Sequence, residues 1–186
     1  MKVAIIYHSG YGHTAQQAKA VARGAQSVAG TEVVVIPVGE SEVPWSELET
    51  AHAIIFGSPT YMGNVSAAFK KFMEDSAQAW LGQKWKDKLA AGFTNSASQS
   101  GDKLNTLQSL SIFAAQHSMI WVGLDILPGN NNSKGSVADL NRLGSFLGAM
   151  SQSNNDQGPD LAPIASDLKT AEHLGKRVAT LATRFK

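Results

Sequence analysis

The amino-acid sequence predicts an α/β fold in which a mostly parallel sheet of five strands is covered by helices on both faces. Short apolar runs rich in Val, Ile, Ala and Phe recur along the chain, several of them unalternating, as strands buried on both sides require. Stretches with helical spacing lie between these runs. The resulting βα alternation argues for right-handed crossovers and a parallel sheet, and no internal repeat interrupts it.

Strands are expected at Lys2 to Tyr7, Thr31 to Val38, His52 to Gly57, Leu89 to Thr94 and Met119 to Val122. Ala18, Val21, Ala22, Ala25, Val28 and Ala29 mark the first helix, and Val65, Phe69, Phe72, Met73 and Trp80 mark one after the third strand. Leu104, Leu107, Leu110 and Ala114 form the stripe of a helix opened near Asp102. Ala171, Leu174, Val178, Leu181 and Phe185 form that of the carboxy-terminal helix. Between the second and third strands Pro44 leaves room for about one helical turn, so that crossover is expected to be short. The stretch from Pro128 to Pro163 is the least regular. It holds Gly129-Asn130-Asn131-Asn132-Ser133, a helix-compatible piece around Leu140 to Leu147, and a polar run from Ser151 to Pro159. Such a segment is either a functional loop or a disordered tip. Trp80, Trp85 and Trp121 are read as core residues or as an apolar patch for a partner subunit.

The 186 residues fit a single domain, 1–186, and a chain of this length buries roughly 70% of its unfolded surface. A net charge of +1 gives no strong field, so neither nucleic acid nor a membrane is expected as a partner. The absence of cysteine removes disulfides, thiolate metal sites and any cysteine nucleophile, and no metal site is expected. Val3 to Ile6 is too brief for a secretory signal, and no apolar run approaches the length of about 20 residues that spans a bilayer. A cytoplasmic location is the expectation.

Chemistry in an open parallel sheet gathers beyond the carboxyl ends of the strands. After the first strand, His8-Ser9-Gly10-Tyr11-Gly12-His13-Thr14 turns directly into a helix. Its glycines let the backbone approach a ligand, the Ser9 and Thr14 hydroxyls can donate to phosphate oxygens, and the free helix-start amides add positive partial charge. The Gly-Lys-Ser/Thr ending of a nucleoside-triphosphate loop is missing, while Gly10 to Ala15 satisfies a loose G-x-G-x-x-A dinucleotide pattern. With no Lys or Arg in the turn, neutral donors and the helix dipole would hold a permanent phosphate monoester. The third and fourth strands lead into Gly57-Ser58-Pro59-Thr60-Tyr61-Met62-Gly63-Asn64 and Thr94-Asn95-Ser96-Ala97-Ser98-Gln99-Ser100-Gly101. Tyr61 is suited either to lie against a flat heterocycle or to plain surface packing, and loop amides can bond the edge of such a ring.

Taken together, the Tyr7 to Thr14, Phe56 to Ser66, Lys88 to Ser96 and His117-Ser118-Met119 segments resemble those of the flavodoxin-like NAD(P)H:quinone oxidoreductases of the WrbA type, and of the wider NADPH-dependent FMN reductases. The resemblance runs from Lys2 to about Val122 and over Ala165 to Ala182. It implies a three-layer αβα sandwich with strand order 2-1-3-4-5 and bound FMN. The phosphate would sit on Ser9, Gly10, Tyr11, Gly12, His13 and Thr14. The isoalloxazine would lie between Pro59, Thr60, Tyr61, Met62, Gly63 and Asn64 on one side and Thr94, Asn95, Ser96, Ser98 and Gly101 on the other. His117 would stand beside the ring as a catalytic proton relay; its residue-level alternative is a cap on a helix end. The resemblance further implies NADH or NADPH as electron donor, a quinone or similar small acceptor, and a homodimer or homotetramer. Two departures are visible: the insertion usual between the second and third strands is missing, and the small-residue segment near the active site reads Gly144-Ser145-Phe146-Leu147-Gly148-Ala149-Met150. A flavodoxin-type electron carrier and a flavin-binding protein without turnover are the alternative readings. A net charge of +1 argues against the carrier, because such carriers are typically strongly acidic.

Overall fold

The computed structural model describes residues 1–185. In chain order its elements are β1 (Lys2–Tyr7), α1 (His13–Gln26), β2 (Glu32–Pro37), α2 (Trp45–Thr50), β3 (Ala53–Tyr61), β4 (Asn64–Val65), α3 (Ala67–Asp75), α4 (Ala77–Leu81), β5 (Leu89–Ser96), α5 (Lys103–Gln116), β6 (Ile120–Trp121), β7 (Ala149–Gln152) and α6 (Ala165–Ala182). The parallel sheet runs β2-β1-β3-β5-β6, which is the expected 2-1-3-4-5 order once the short β4 is set aside.

Successive side chains of a strand point to opposite faces, so an unbroken apolar run serves two cores at once. Val3 and Ile5 join Ile55, Ala91 and Phe93 beneath α1 and α6. Ala4 and Ile6 join Ile54, Phe56 and the opposite helices. On the first face α1 and α6 nearly touch through glycine: a Cβ on Gly24 would lie 1.7 Å from the Glu172 carbonyl oxygen. The second face is aromatic, with Phe56, Phe69, Phe72 and Trp85 fully buried and Phe113 edge-on to Phe56 at 5.3 Å. Each such ring contributes roughly 1.5–3 kcal/mol by leaving water. Trp85 therefore belongs to the core, Trp121 is half-buried and donates its indole N–H to Leu147 O (2.9 Å), and Trp80 is half-exposed.

Several expected elements differ. The fifth sheet position is shared: β6 pairs with Leu89 and Ala90 at the start of β5, whereas β7 pairs with Phe93 to Ser96 at its end. The chain leaves the sheet edge after Trp121 and returns at Ala149, so two pieces of two and four residues stand where one strand was expected. Around Leu140 to Leu147 the backbone forms turns, not a helix. Buried Asn141 explains this: Nδ2 donates to the carbonyls of Ile126 and Ser145 while Oδ1 accepts from the Ser145 amide, replacing helical bonds. The stripe from Val65 to Trp80 is broken at Ser76, whose hydroxyl donates to Met73 O. Val28 and Ala29 lie past the end of α1, and Phe185 past that of α6. Among the described residues no helix is long and apolar enough to cross a membrane.

Candidate active site at the carboxyl edge of the sheet

Because β1, β3, β5 and β7 all run parallel, the loops leaving them emerge at one edge. They enclose a cavity of about 720 Å³, lined by Ser9, Tyr11, His13, Thr14, Pro59, Thr60, Tyr61, Asn95, Ser96, Ala97, Ser153 and Asn155 to Gly158. That volume falls within the range of small-molecule and cofactor sites, roughly 300–1,000 Å³.

The turn after β1 is built to present donors. Gly12 adopts φ 88°, a left-handed conformation natural to glycine, and its carbonyl accepts the first helical bond, from Gln16 N. Ser9 Oγ accepts from Ala15 N at 3.1 Å, which leaves the hydroxyl proton free to donate outward. The amides of Tyr11, Gly12, His13 and Thr14 have no acceptor among the described residues. Four such amides at a helix start, with two hydroxyls beside them, match the needs of a phosphate dianion. No lysine or arginine among the described residues lines the cavity.

The second loop differs from expectation. β3 continues to Tyr61, and Met62 and Gly63, with φ of 47° and 80°, form a two-residue hairpin turn into β4. Two positive φ values are what such a turn requires. Met62, Gly63 and Asn64 consequently stand away from the cavity and tie the hairpin to α5. Asn105 Nδ2 donates to Gly63 O (2.7 Å), and Asn64 Oδ1 accepts from Ser109 Oγ (2.8 Å). Pro59, Thr60 and Tyr61 do line it. The Tyr61 hydroxyl meets the Gly10 backbone, and burial raises its pKa, with Tyr11 adding to the rise and the Gly10 bond opposing it. Tyr11 meets the Tyr61 ring edge-on, centroids 6.3 Å apart.

The third loop divides into a floor and a wall. Thr94 is fully buried below the cavity, its hydroxyl bonded to Thr60 Oγ1, which also donates to Thr106 Oγ1, both at 2.8 Å. Asn95 reaches the cavity with its amide already oriented: Oδ1 accepts from Ser151 Oγ (2.8 Å) and Ser153 Oγ (2.9 Å), which turns Nδ2 outward as a donor. Ser98 and Gly101 lie behind Ser96; a Cβ on Gly101, where φ is 56°, would come within 2.3 Å of Ser96 Oγ.

A fourth loop, Ser153 to Gly158, completes the cavity and was not among the expected site residues. Ser153 N donates to Ser96 O, His13 Nε2 donates to Gln157 O (2.8 Å), and Pro159 packs against Gly12. The polar run from Ser151 to Pro159, directly after small residues, was the signal available in the sequence.

His117 requires correction. A helix that starts at the carboxyl edge of β5 and runs 14 residues ends about 21 Å away, at the amino edge of the sheet. His117 sits there, against Trp85 (4.2 Å) and Phe113 (4.8 Å), with Nε2 bonded to Ser76 Oγ (2.9 Å). Within one chain it does not reach the cavity. Its backbone N–H closes the last turn of α5, while burial lowers its imidazole pKa to about 4, so the side chain occupies the helix end without the positive charge that a dipole cap requires.

The donor set and the cavity define a mononucleotide-binding protein of the flavodoxin-like class. A sequence model described as NADPH-dependent FMN reductase matches residues 44–131. The chain is 42% identical to Flavodoxin FldP of Pseudomonas aeruginosa, over 97% of this chain and 96% of that protein. It is 32% identical to an NAD(P)H dehydrogenase (quinone) of Geotalea uraniireducens, over 100% and 99%. A crystal structure of a flavodoxin, WrbA-like protein from Agrobacterium tumefaciens superposes with a TM-score of 0.79 at 40% identity, covering 100% of this chain and 99% of that one. The chain belongs to the flavodoxin-like family of FMN proteins that contains the WrbA-type NAD(P)H:quinone oxidoreductases.

Proposed function

We propose that the protein is an oxidoreductase that seats FMN in this cavity and passes electrons from NADH or NADPH to a quinone or a similar small acceptor. The observation that carries this reading is the row of unpartnered amides from Tyr11 to Thr14 at the head of α1, opening into a cavity without a lysine or arginine side chain. When bound, FMN supplies hydride acceptance and electron delivery to the acceptor, chemistry that no side chain here provides. The Ser9 and Thr14 hydroxyls and the four amides hold the phosphate. Asn95 Nδ2 donates to the polar edge of the ring, and Tyr61 offers it a flat apolar face. The Ser153 to Gly158 loop, tied to His13 and Ser96, walls off solvent from the phosphate side.

The test is an FMN titration followed by anaerobic mixing with each nicotinamide nucleotide and a steady-state screen of quinones. Bleaching by either nucleotide with quinone-dependent turnover is expected; failure to bind FMN would refute the reading. A second reading, an electron carrier docking redox proteins, is favoured by the 42% identity to a protein named as a flavodoxin. Flavin that neither nucleotide bleaches would decide for it. Exposed Trp80, Leu81 and Ile112 support an oligomeric assembly, dimer or tetramer, which sedimentation measures directly.

A further inference from the structure

Lys103 opens α5, yet it is only 1% exposed. Its ammonium donates to Ser96 Oγ, Ser98 O and Gln99 O, each at 2.8 Å, so all three protons are placed. None of these acceptors is charged. Burial lowers the lysine pKa to about 8, with Asp167 pulling it up and Arg142 pushing it down, and the side chain therefore carries its proton at neutral pH. A buried cation without a directly bonded carboxylate is costly, and a neutral donor would hold two carbonyls at less expense.

What the charge accomplishes follows from where it lies. Ser96 is on the cavity wall, and the ammonium stands one hydrogen bond behind it. The Ser98 and Gln99 carbonyls are drawn inward to Nζ, and the Ala97 carbonyl is taken by Gln152 Nε2 (2.8 Å). The amides from Ala97 to Gly101 are left without acceptors among the described residues, and of these residues Ala97 lines the cavity. A peptide turn whose carbonyls face a cation inside presents its positive ends outward. The start of α5 adds partial charge of the same sign.

We propose that Lys103 is a positioning residue that keeps the Ser96–Gln99 turn electropositive where its first two residues, Ser96 and Ala97, wall the cavity, so that reduced flavin is bound more tightly than oxidised flavin. This rests on the FMN reading above. A hydride taken from the nicotinamide brings two electrons and one proton; the nicotinamide is oxidised and the bound flavin gains one negative charge. A fixed positive wall in a site shielded from water favours that added charge without rearranging.

The experiment compares wild type, Lys103→Gln and Lys103→Met by FMN titration and by the midpoint potential of the bound flavin. Lys103→Gln keeps donors for the turn and loses the charge. It is expected to bind oxidised FMN within about threefold of wild type but reduced FMN about tenfold more weakly, which for a two-electron couple lowers the potential by about 30 mV. Lys103→Met releases both carbonyls and is expected to weaken oxidised FMN about tenfold or more. A Lys103→Gln potential equal to that of wild type would overturn the electrostatic role, and unchanged oxidised affinity in a folded Lys103→Met would overturn the ordering role. If Lys103→Met does not fold, the potential of Lys103→Gln decides alone. Wild type that takes up no FMN would instead refute the cofactor assignment, an outcome separable from either variant's.

Discussion

Acid should destabilise this protein in part through His117, and that contribution can be worked from its surroundings. The Ser76 hydroxyl has one proton and gives it to Met73 O (2.7 Å), so it accepts from His117 Nε2–H. Nδ1 is then the bare nitrogen, buried without a partner among the described residues. Protonation would place a cationic N–H there with no acceptor, and burial lowers the imidazole pKa from 6.5 to about 4. Between those values the unfolded chain binds more protons than the folded one. Stability is therefore full above pH 6.5 and is lost as the pH falls toward 4. At pH 4.5 the loss amounts to roughly 2 kcal/mol relative to pH 7, or about 4–8 °C in Tm for a chain of this size. His117→Phe keeps the stacking on Trp85 and removes the titration. It is expected to cost about 1 kcal/mol at pH 7 through the lost hydrogen bond, yet to lose less stability than wild type on acidification. Urea unfolding of both proteins at pH 7 and 4.5, followed by tryptophan fluorescence, measures the difference. Equal acid losses in the two proteins would refute the argument, because the decline would then originate in other groups.

At the phosphate turn, Ser9→Ala and Thr14→Ala are each expected to weaken FMN binding by about 1–3 kcal/mol, read by flavin fluorescence titration; unchanged affinity in both would remove the turn from the site. Gly175 meets Val21 O where α1 and α6 cross, since a Cβ there would lie 1.9 Å from that oxygen. Gly175→Val should therefore cost about 3 kcal/mol or more in chemical denaturation, and a wild-type midpoint would mean the helices can separate freely. Arg142 and Asp167 form a buried pair joined by two hydrogen bonds of 2.8 Å, and Asp167 Oδ2 also accepts from Gln152 N beside the cavity. Arg142→Met leaves that carboxylate uncompensated and should cost about 3–5 kcal/mol; a loss under about 1 kcal/mol would show that the carboxylate is neutralised another way.

Some of this was legible from the chain alone. The turn from Ser9 to Thr14 could be read because everything it needs is contiguous: a strand to aim it, glycine to admit a left-handed residue, and a helix start to supply amides. Strands β1, β3 and β5 were equally readable, since burial on both faces writes itself into an unbroken apolar run. His117 shows how a motif can mislead where simple geometry would not. A helix of 14 residues cannot begin and end at the same edge of a sheet, and that length was already implied by the stripe from Leu104 to Ala114.

Other features were decided only by the folded chain. β7 has four residues and no signature of its own; it is a strand because Phe93 to Ser96 offer it a free edge. Asn95 becomes an oriented donor because Ser151 and Ser153, 56 and 58 residues away in sequence, meet its carbonyl. Lys103 would pass for a surface lysine on a helix start, and only the closing of the Ser96–Gln99 turn over its ammonium buries it. Local sequence determines what depends on neighbouring residues, namely backbone conformation, periodicity and free amides. Burial, orientation and charge in the cavity depend on distant segments being brought together, and that information exists only in the tertiary structure.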